Sequence, residues 1–175
     1  MPIDIQPTLG DEDVLLVPLR EEDFEGLYQV AADPKIWEQH PNKDRWQRDV
    51  FEKFFRGAIE SKGAFKIIDK KTGEIAGSTR FYNYNETARS IMIGYTFYGP
   101  KFWGKGLNPA VKRLMLQYIF PFVDKVLFHI GATNFRSQVA IQRMGASKVG
   151  EETVAYYGEA PKLNFVYEIS SRFFA

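Results

Sequence analysis

The stretch that most constrains this chain is Ile93–Tyr118, IGYTFYGPKFWGKGLNPAVKRLMLQY. It is entered as a strand. Ile91, Ile93, Tyr95 and Phe97 alternate with Met92, Gly94 and Thr96, and β-branched and aromatic types dominate. Gly99-Pro100 stops that strand, and a short loop carries Gly104 and Gly106. Asn108 followed by Pro109 predicts a helix start, with Asn as N-cap and Pro as first helical residue. Val111, Leu114, Met115 and Tyr118 then recur at helical spacing. The predicted unit is strand, glycine loop, capped helix.

Such a unit has a chemistry of its own. The first turn of a helix carries backbone N–H groups without intrahelical partners, and the helix dipole adds partial positive charge there. Glycines let an anion approach the main chain, so the loop reads either as a phosphate cradle or as a bare tight turn. Lys101 and Lys105 would add charge around it. The loop is not a Walker A loop, which needs Gly-Lys-Ser/Thr after four residues. Nor is it the dinucleotide fingerprint, because Pro109 stands where a third glycine or alanine belongs.

Composition narrows the class. At 175 residues, one domain spanning 1–175 is expected. Lys plus Arg is 23 against 22 Asp plus Glu, which argues against a general nucleic-acid or anionic-membrane surface. No apolar run reaches membrane-spanning length and no signal-peptide layout opens the chain, so a cytoplasmic location is expected. Cysteine is absent, which excludes disulfides, thiolate metal sites and a Cys acyl-enzyme. Two histidines, His40 and His129, do not make a usual zinc site, and no metal is expected.

Along the chain, a polar leader to Asp13 precedes a strand at Val14–Leu19 and a helix from Glu21 to about Ala32. Asp33-Pro34 breaks it and permits a helical turn to Trp37. A helix from Asp44 to about Ser61 follows, with Trp46, Val50, Phe54 and Ala58 on one face. Strands are predicted at Ala64–Asp69 and Glu74–Tyr82, then a polar loop at Asn83–Arg89 before the central stretch. Pro121 ends the central helix, and Lys125–Ile130 reads as a strand. A helix opening at Thr133 or Asn134 is closed by Gly145, and strands at Ser147–Tyr157 and Lys162–Ser170 finish the chain around a turn at Gly158–Pro161. The order predicts an α/β (α+β) fold with a mixed sheet and helices on its faces.

The run Pro100-Lys101-Phe102-Trp103-Gly104-Lys105-Gly106 resembles the acyl-CoA pyrophosphate loop of the GNAT N-acetyltransferase superfamily. Its Trp-Gly-Lys-Gly version is typical of the branch resembling the ribosomal-protein N-terminal acetyltransferases RimJ and RimL. Lys101 stands at the family's Gln/Arg position, a departure at a place that works largely through backbone. A second signature, Asn134, two residues, Ser137, then a helix ending in Met144-Gly145, follows about thirty residues later and is similar to the late motif of the same branch. Leu19-Arg20-Glu21-Glu22-Asp23-Phe24 also resembles that branch's opening. The resemblance spans nearly the whole chain and implies the GNAT fold: a mostly antiparallel sheet of about seven strands with helices on both faces.

What the resemblance implies for chemistry is direct acetyl transfer from acetyl-CoA to a primary amine, either a protein N-terminus or a small amine. Lys101, Phe102, Trp103, Gly104, Lys105, Gly106, Leu107 and Asn108 would hold the diphosphate. Tyr95 and Phe97 would face the thioester with backbone donors, Asn134 would contact the pantetheine arm, and Ser137 would support or protonate the departing thiolate. The alternative of another class is a module that binds acyl-CoA without turning it over. A monomer or a homodimer fits equally.

The general base is not identified by sequence. His40, Glu38 and Glu86 fall in segments that read either as the border of a substrate cleft or as solvated surface, while His129 sits in an apolar strand and reads as a core residue. Neutralising a lysine amine at pH 7 costs roughly 3 kcal/mol more than neutralising an α-amine, so a site without a strong base suits an α-amine. Trp37, Trp46, Tyr82 and Tyr84 are candidates for an acceptor pocket or a dimer face.

Overall fold

The structure, a computed structural model, describes residues 3–155 and 160–174. Eight strands form one sheet in the order β1-β2-β3-β4-β5-β6-β8-β7. They are β1 (Leu9–Gly10), β2 (Val14–Pro18), β3 (Ala64–Asp69), β4 (Glu74–Asn85), β5 (Ser90–Tyr98), β6 (Lys125–Gly131), β7 (Ser147–Val154) and β8 (Lys162–Ser170). The helices are α1 (Phe24–Ala31), α2 (Arg48–Ser61), α3 (Leu107–Ile119) and α4 (Phe135–Arg143). The sheet is mixed and mostly antiparallel as expected; the strand beyond seven is the two-residue β1 on the edge. The far end of the predicted Ser147–Tyr157 strand and the first half of the turn at Gly158–Pro161 lie outside the described residues.

Each face of the sheet buries its own cluster. Under α3 and α4 lie Leu16, Phe65, Ile67, Ile91, Ile93, Val126 and Phe128 with Val111, Met115 and Ile141. Under α1 and α2 lie Leu19, Ala64 and Phe97 with Leu27, Trp37, Phe51, Phe54 and Phe55. The period-2 alternation of strands explains the division in β3, where Phe65 and Ile67 go to one face and Ala64 to the other. In α2 the buried stripe is Phe51, Phe54, Phe55 and Ala58. The helix begins at Arg48 rather than Asp44, and Trp46 precedes it, exposed, with its carbonyl accepting the Tyr28 hydroxyl.

In β5 the simple alternation fails, and the failure shapes the site. Ser78 pairs with Phe97 and Arg80 with Gly94, so Tyr95 and Thr96 together oppose Thr79. The extra residue is a β-bulge, and Tyr95 takes φ 54°, the left-handed region that a bulky residue rarely enters. The bulge turns the strand over: Ile91 and Ile93 face α3, whereas Tyr95 and Phe97 face α2.

The second irregularity is a parting of strands. β5 and β6 run parallel but pair only over Ser90–Met92 with Lys125–Leu127. Beyond Met92 and Leu127 they diverge, leaving the second half of each strand to line an opening.

Candidate active site: a cleft between two parted strands

A cleft of about 760 Å³ fills that opening. Its walls are Ile93–Tyr98 of β5, Phe128–Gly131 of β6, the glycine loop with the start of α3, the first turns of α4, and the segment between α1 and α2. Its charged lining residues, among those described, are Arg45, Lys112, Arg136 and Arg143, together with His40 and His129; no carboxylate lines it.

At the donor-like end, Gly104 and Gly106 have φ 71° and 80°, and nothing lies within 4 Å of where a Cβ would stand. Both positions demand glycine for backbone reasons, and the space beside them is open. The helix starts two residues earlier than predicted. Gly106, not Asn108, is the N-cap, because its left-handed turn drives Leu107 into the core as the first helical residue. Asn108 sits inside the first turn, where its Oδ1 accepts the Tyr98 hydroxyl at 2.9 Å. Pro109 remains tolerated there, since first-turn N–H groups have no intrahelical acceptor. Burial pushes the Tyr98 phenol up, so it stays a donor to Asn108.

Phe102, Trp103, Gly104, Gly106, Leu107 and Asn108 all border the cleft, with Tyr95 and Phe97 across from them. Lys101 and Lys105 do not. Lys101 is paired with Glu74, and Lys105 borders a separate small recess with Asp13, Asp69 and Lys71. Trp103 ties the loop to its surroundings: its indole donates to the Tyr98 carbonyl at 2.9 Å, and the Arg136 guanidinium stacks 4.0 Å from its ring. Arg136 also donates to the Ile36 carbonyl, and its amide donates to Gln39 Oε1, which clips α4 to the segment after α1.

Asn134 and Ser137 both line the cleft at the start of α4. Asn134 Oδ1 accepts the Ser137 amide at 3.4 Å as a helix cap. Gly145 closes α4 with φ 97°, as expected.

Lys112 is a residue that sequence reading missed. Flanked by Val111 and Arg113, it looks like a solvent-facing helix position, yet it is buried with its Nζ 3.0 Å from Thr96 Oγ1. Thr96 in turn shares a hydrogen bond with Thr79 Oγ1 at 2.9 Å. Burial pushes the Lys112 ammonium down to about 7. It lies one helical turn after Asn108, on the same face, and that i, i+4 spacing was the available signal.

At the other end, Trp37 is buried and packs on Phe97 and Phe54, with Arg45 stacked 5.6 Å from its ring. Tyr82 packs edge-on against Tyr95, while Tyr84 is exposed and outside the cleft. Neither Glu38 nor Glu86 lines the cleft. His40 does, but its Nδ1 accepts the Asn42 amide and its Nε2 lies 3.3 Å from Arg45 Nη1. Burial first, and Arg45 second, hold it well below its ordinary pKa. His129 is not a core residue: it borders the cleft, with its Nε2 2.9 Å from Glu152 Oε2. The segment between α1 and α2 is seated on β6, where a Cβ at Gly131 would meet Pro41 at 2.3 Å.

Comparison with known proteins identifies the family and the fold. The family model described as Acetyltransferase (GNAT) domain matches residues 13–147. Solved structures share the fold at low identity. RimJ from Mycobacterium smegmatis, in complex with CoA-disulfide, superposes with a TM-score of 0.73 at 18% identity, covering 95% of this chain and 88% of that one. The Microcin C7 self-immunity acetyltransferase MccE, in complex with acetyl-CoA and AMP, gives 0.72 at 16%, covering 91% and 93%. A GCN5-related N-acetyltransferase from Brucella melitensis gives 0.75 at 18%, covering 94% and 79%.

Proposed function

The chain belongs to the GNAT acetyltransferase family, and from that premise we propose that it transfers the acetyl group of acetyl-CoA to a primary amine by direct attack in a ternary complex. The observation that carries this reading is the continuity of the cleft. One opening joins the glycine loop and the start of α3 to the bulge at Tyr95 and the start of α4.

In this reading the diphosphate lies on the main chain of Gly104–Asn108, where first-turn N–H groups and the helix dipole favour negative charge. Phe102, Trp103 and Leu107 flank it; Lys101 and Lys105 act from outside the cleft wall through longer-range charge. The pantetheine arm passes between β5 and β6 and receives the Asn134 amide. The thioester carbonyl reaches the bulge at Tyr95 and Thr96, where a β5 backbone N–H is the proposed donor. Such a fixed donor stabilises the oxyanion that forms on attack. Ser137 hydrogen-bonds the departing sulfur.

The acceptor enters from the side of the segment between α1 and α2. With no carboxylate on the cleft lining among the described residues, a polycationic acceptor finds no counter-charge there, whereas an α-amine on a neutral or acidic chain does not need one. That favours a peptide N-terminus, in keeping with the RimJ/RimL-like signatures, over a polyamine. The same reading takes 1–175 as one acetyltransferase domain acting in the cytoplasm as a monomer or homodimer, without a metal. Among the described residues no helix is long and apolar enough to cross a membrane.

The test is thermal unfolding with acetyl-CoA and with ATP as control, followed by thiol release against an amine panel. At one hundred times its dissociation constant a ligand specific for the folded state adds about 2.7 kcal/mol of stability. A shift with acetyl-CoA alone, then amine-dependent thiol release, is expected. A shift without release for any amine would instead identify an acyl-CoA-sensing module.

A further inference from the structure

We propose that His129 is the general base that takes the proton from the acceptor ammonium, and that Glu152 is the residue that positions it. This rests on the acetyltransferase reading of the cleft.

The geometry is specific. His129 stands two residues beyond Leu127, the last β6 residue paired with β5, so it lies where the strands have parted. Its side chain is 10% exposed and it borders the cleft. Glu152 reaches it from β7, whose register sets Glu152 against Asn164 and Asn164 against Gly131. A carboxylate only accepts, so the 2.9 Å contact places the imidazole hydrogen on Nε2. Nδ1 is therefore left with its lone pair, buried and without a hydrogen-bond partner. A buried lone pair with no donor costs stability, and an ammonium entering the cleft is the donor it lacks. His40, the other histidine of the cleft, has both nitrogens engaged.

The surroundings suit a base. Burial holds His129 below its ordinary pKa, with the Glu152 carboxylate pulling the other way, so the ring is neutral near pH 7. On β8 its register partner is Val166, and His40 and Arg45 line the same cleft from the segment between α1 and α2. Glu152 is the charged group that acts on it directly.

The step balances. The ammonium gives one proton to Nδ1, and the freed amine lone pair forms the C–N bond to the thioester carbon. The tetrahedral adduct then breaks its C–S bond; the nitrogen's second proton passes to the departing sulfur, which leaves as thiol, and the imidazolium returns the first proton to solvent.

The experiment compares His129→Gln and Glu152→Gln with the wild-type protein in thiol release across pH 5.5–9. For His129→Gln, kcat/KM at pH 7 should fall by about 10²-fold or more. Its acidic limb should vanish, while acetyl-CoA still raises Tm as in the wild type. Glu152→Gln should fall by about tenfold and move the acidic limb to lower pH, since removing the anion lowers the imidazole pKa. Imidazole ¹⁵N spectra of the free protein should show His129 protonated on Nε2 alone at pH 7. A wild-type pH profile in His129→Gln, or an Nδ1–H tautomer in the spectra, would overturn the assignment. Wild-type protein that releases no thiol with any amine removes the acetyltransferase reading, and the proposal with it.

Discussion

The two ends of the cleft are built in different ways. The end proposed to hold the donor is mostly main chain: a dozen consecutive residues supply the strand end, the two left-handed glycines and the first turn of α3. The end proposed to receive the acceptor is side chain: Trp37, His40 and Arg45 come from the segment between α1 and α2, Tyr95 from a bulge in β5 and His129 from β6, with Glu152 of β7 behind His129 and off the cleft wall. A phosphate binds to geometry that a short sequence can encode by itself. A proton moves only between side chains that the whole fold brings together. Lys112 lies between the two on the cleft wall, buried, with its Nζ bonded to Thr96 Oγ1.

Removing Lys112 has the largest expected effect on stability and separates it from the two functions. A lysine at about 7, against an ordinary 10.5, costs the folded state on the order of 4 kcal/mol at pH 7. The sign follows from the depressed value: the unfolded chain binds the proton more tightly, so the cost is full below pH 7 and fades as pH rises toward 10.5. Lys112→Met is therefore expected to raise Tm at pH 7, with the gain over wild type shrinking by pH 10. Denaturant titrations at both pH values check it.

Gly106→Val attacks the donor end alone. A β-branched residue at φ 80° is strained, and its side chain occupies the space where the diphosphate would approach. The dissociation constant for acetyl-CoA is expected to rise about a hundredfold or more by calorimetry, roughly 2.7 kcal/mol. The His129 imidazole spectrum should not change. A shift in both would show that the ends are coupled.

Ser137→Ala tests the leaving-group side of the same end. A fall in kcat of about tenfold is expected, with acetyl-CoA affinity unchanged. Full turnover at every pH would remove the role proposed for that hydroxyl. The smallest effect belongs outside both regions: Glu25→Gln breaks an exposed pair with Arg48 and should leave turnover and Tm within error.

The same contrast explains what was legible in the sequence. Periodicity and Gly/Pro punctuation were enough for the element order, because each depends on neighbours along the chain. The glycine loop and the Asn134–Ser137 turn were visible for that reason. Asn108 was misplaced as an N-cap because the pattern Asn-Pro says nothing of Leu107, whose burial starts the helix earlier. The Tyr95 bulge was invisible, since Ile91, Ile93, Tyr95 and Phe97 keep a perfect alternation in sequence while the register with β4 turns the strand over midway. His129 read as core because Phe128 and Ile130 beside it are apolar. Its partner Glu152 arrives from β7 across β8, a neighbour that only the sheet order reveals.

The central claim is that the cleft carries acetyl-CoA and an amine together and moves the acetyl group between them. Mass measurement of a short peptide with a free α-amine, incubated with the protein and acetyl-CoA, tests it most directly. The account predicts a gain of one acetyl group on the N-terminus, with an equal amount of thiol released and far less product from a polyamine. Stabilisation of the protein by acetyl-CoA with no acetylated product from any α-amine, lysine amine or polyamine would contradict it.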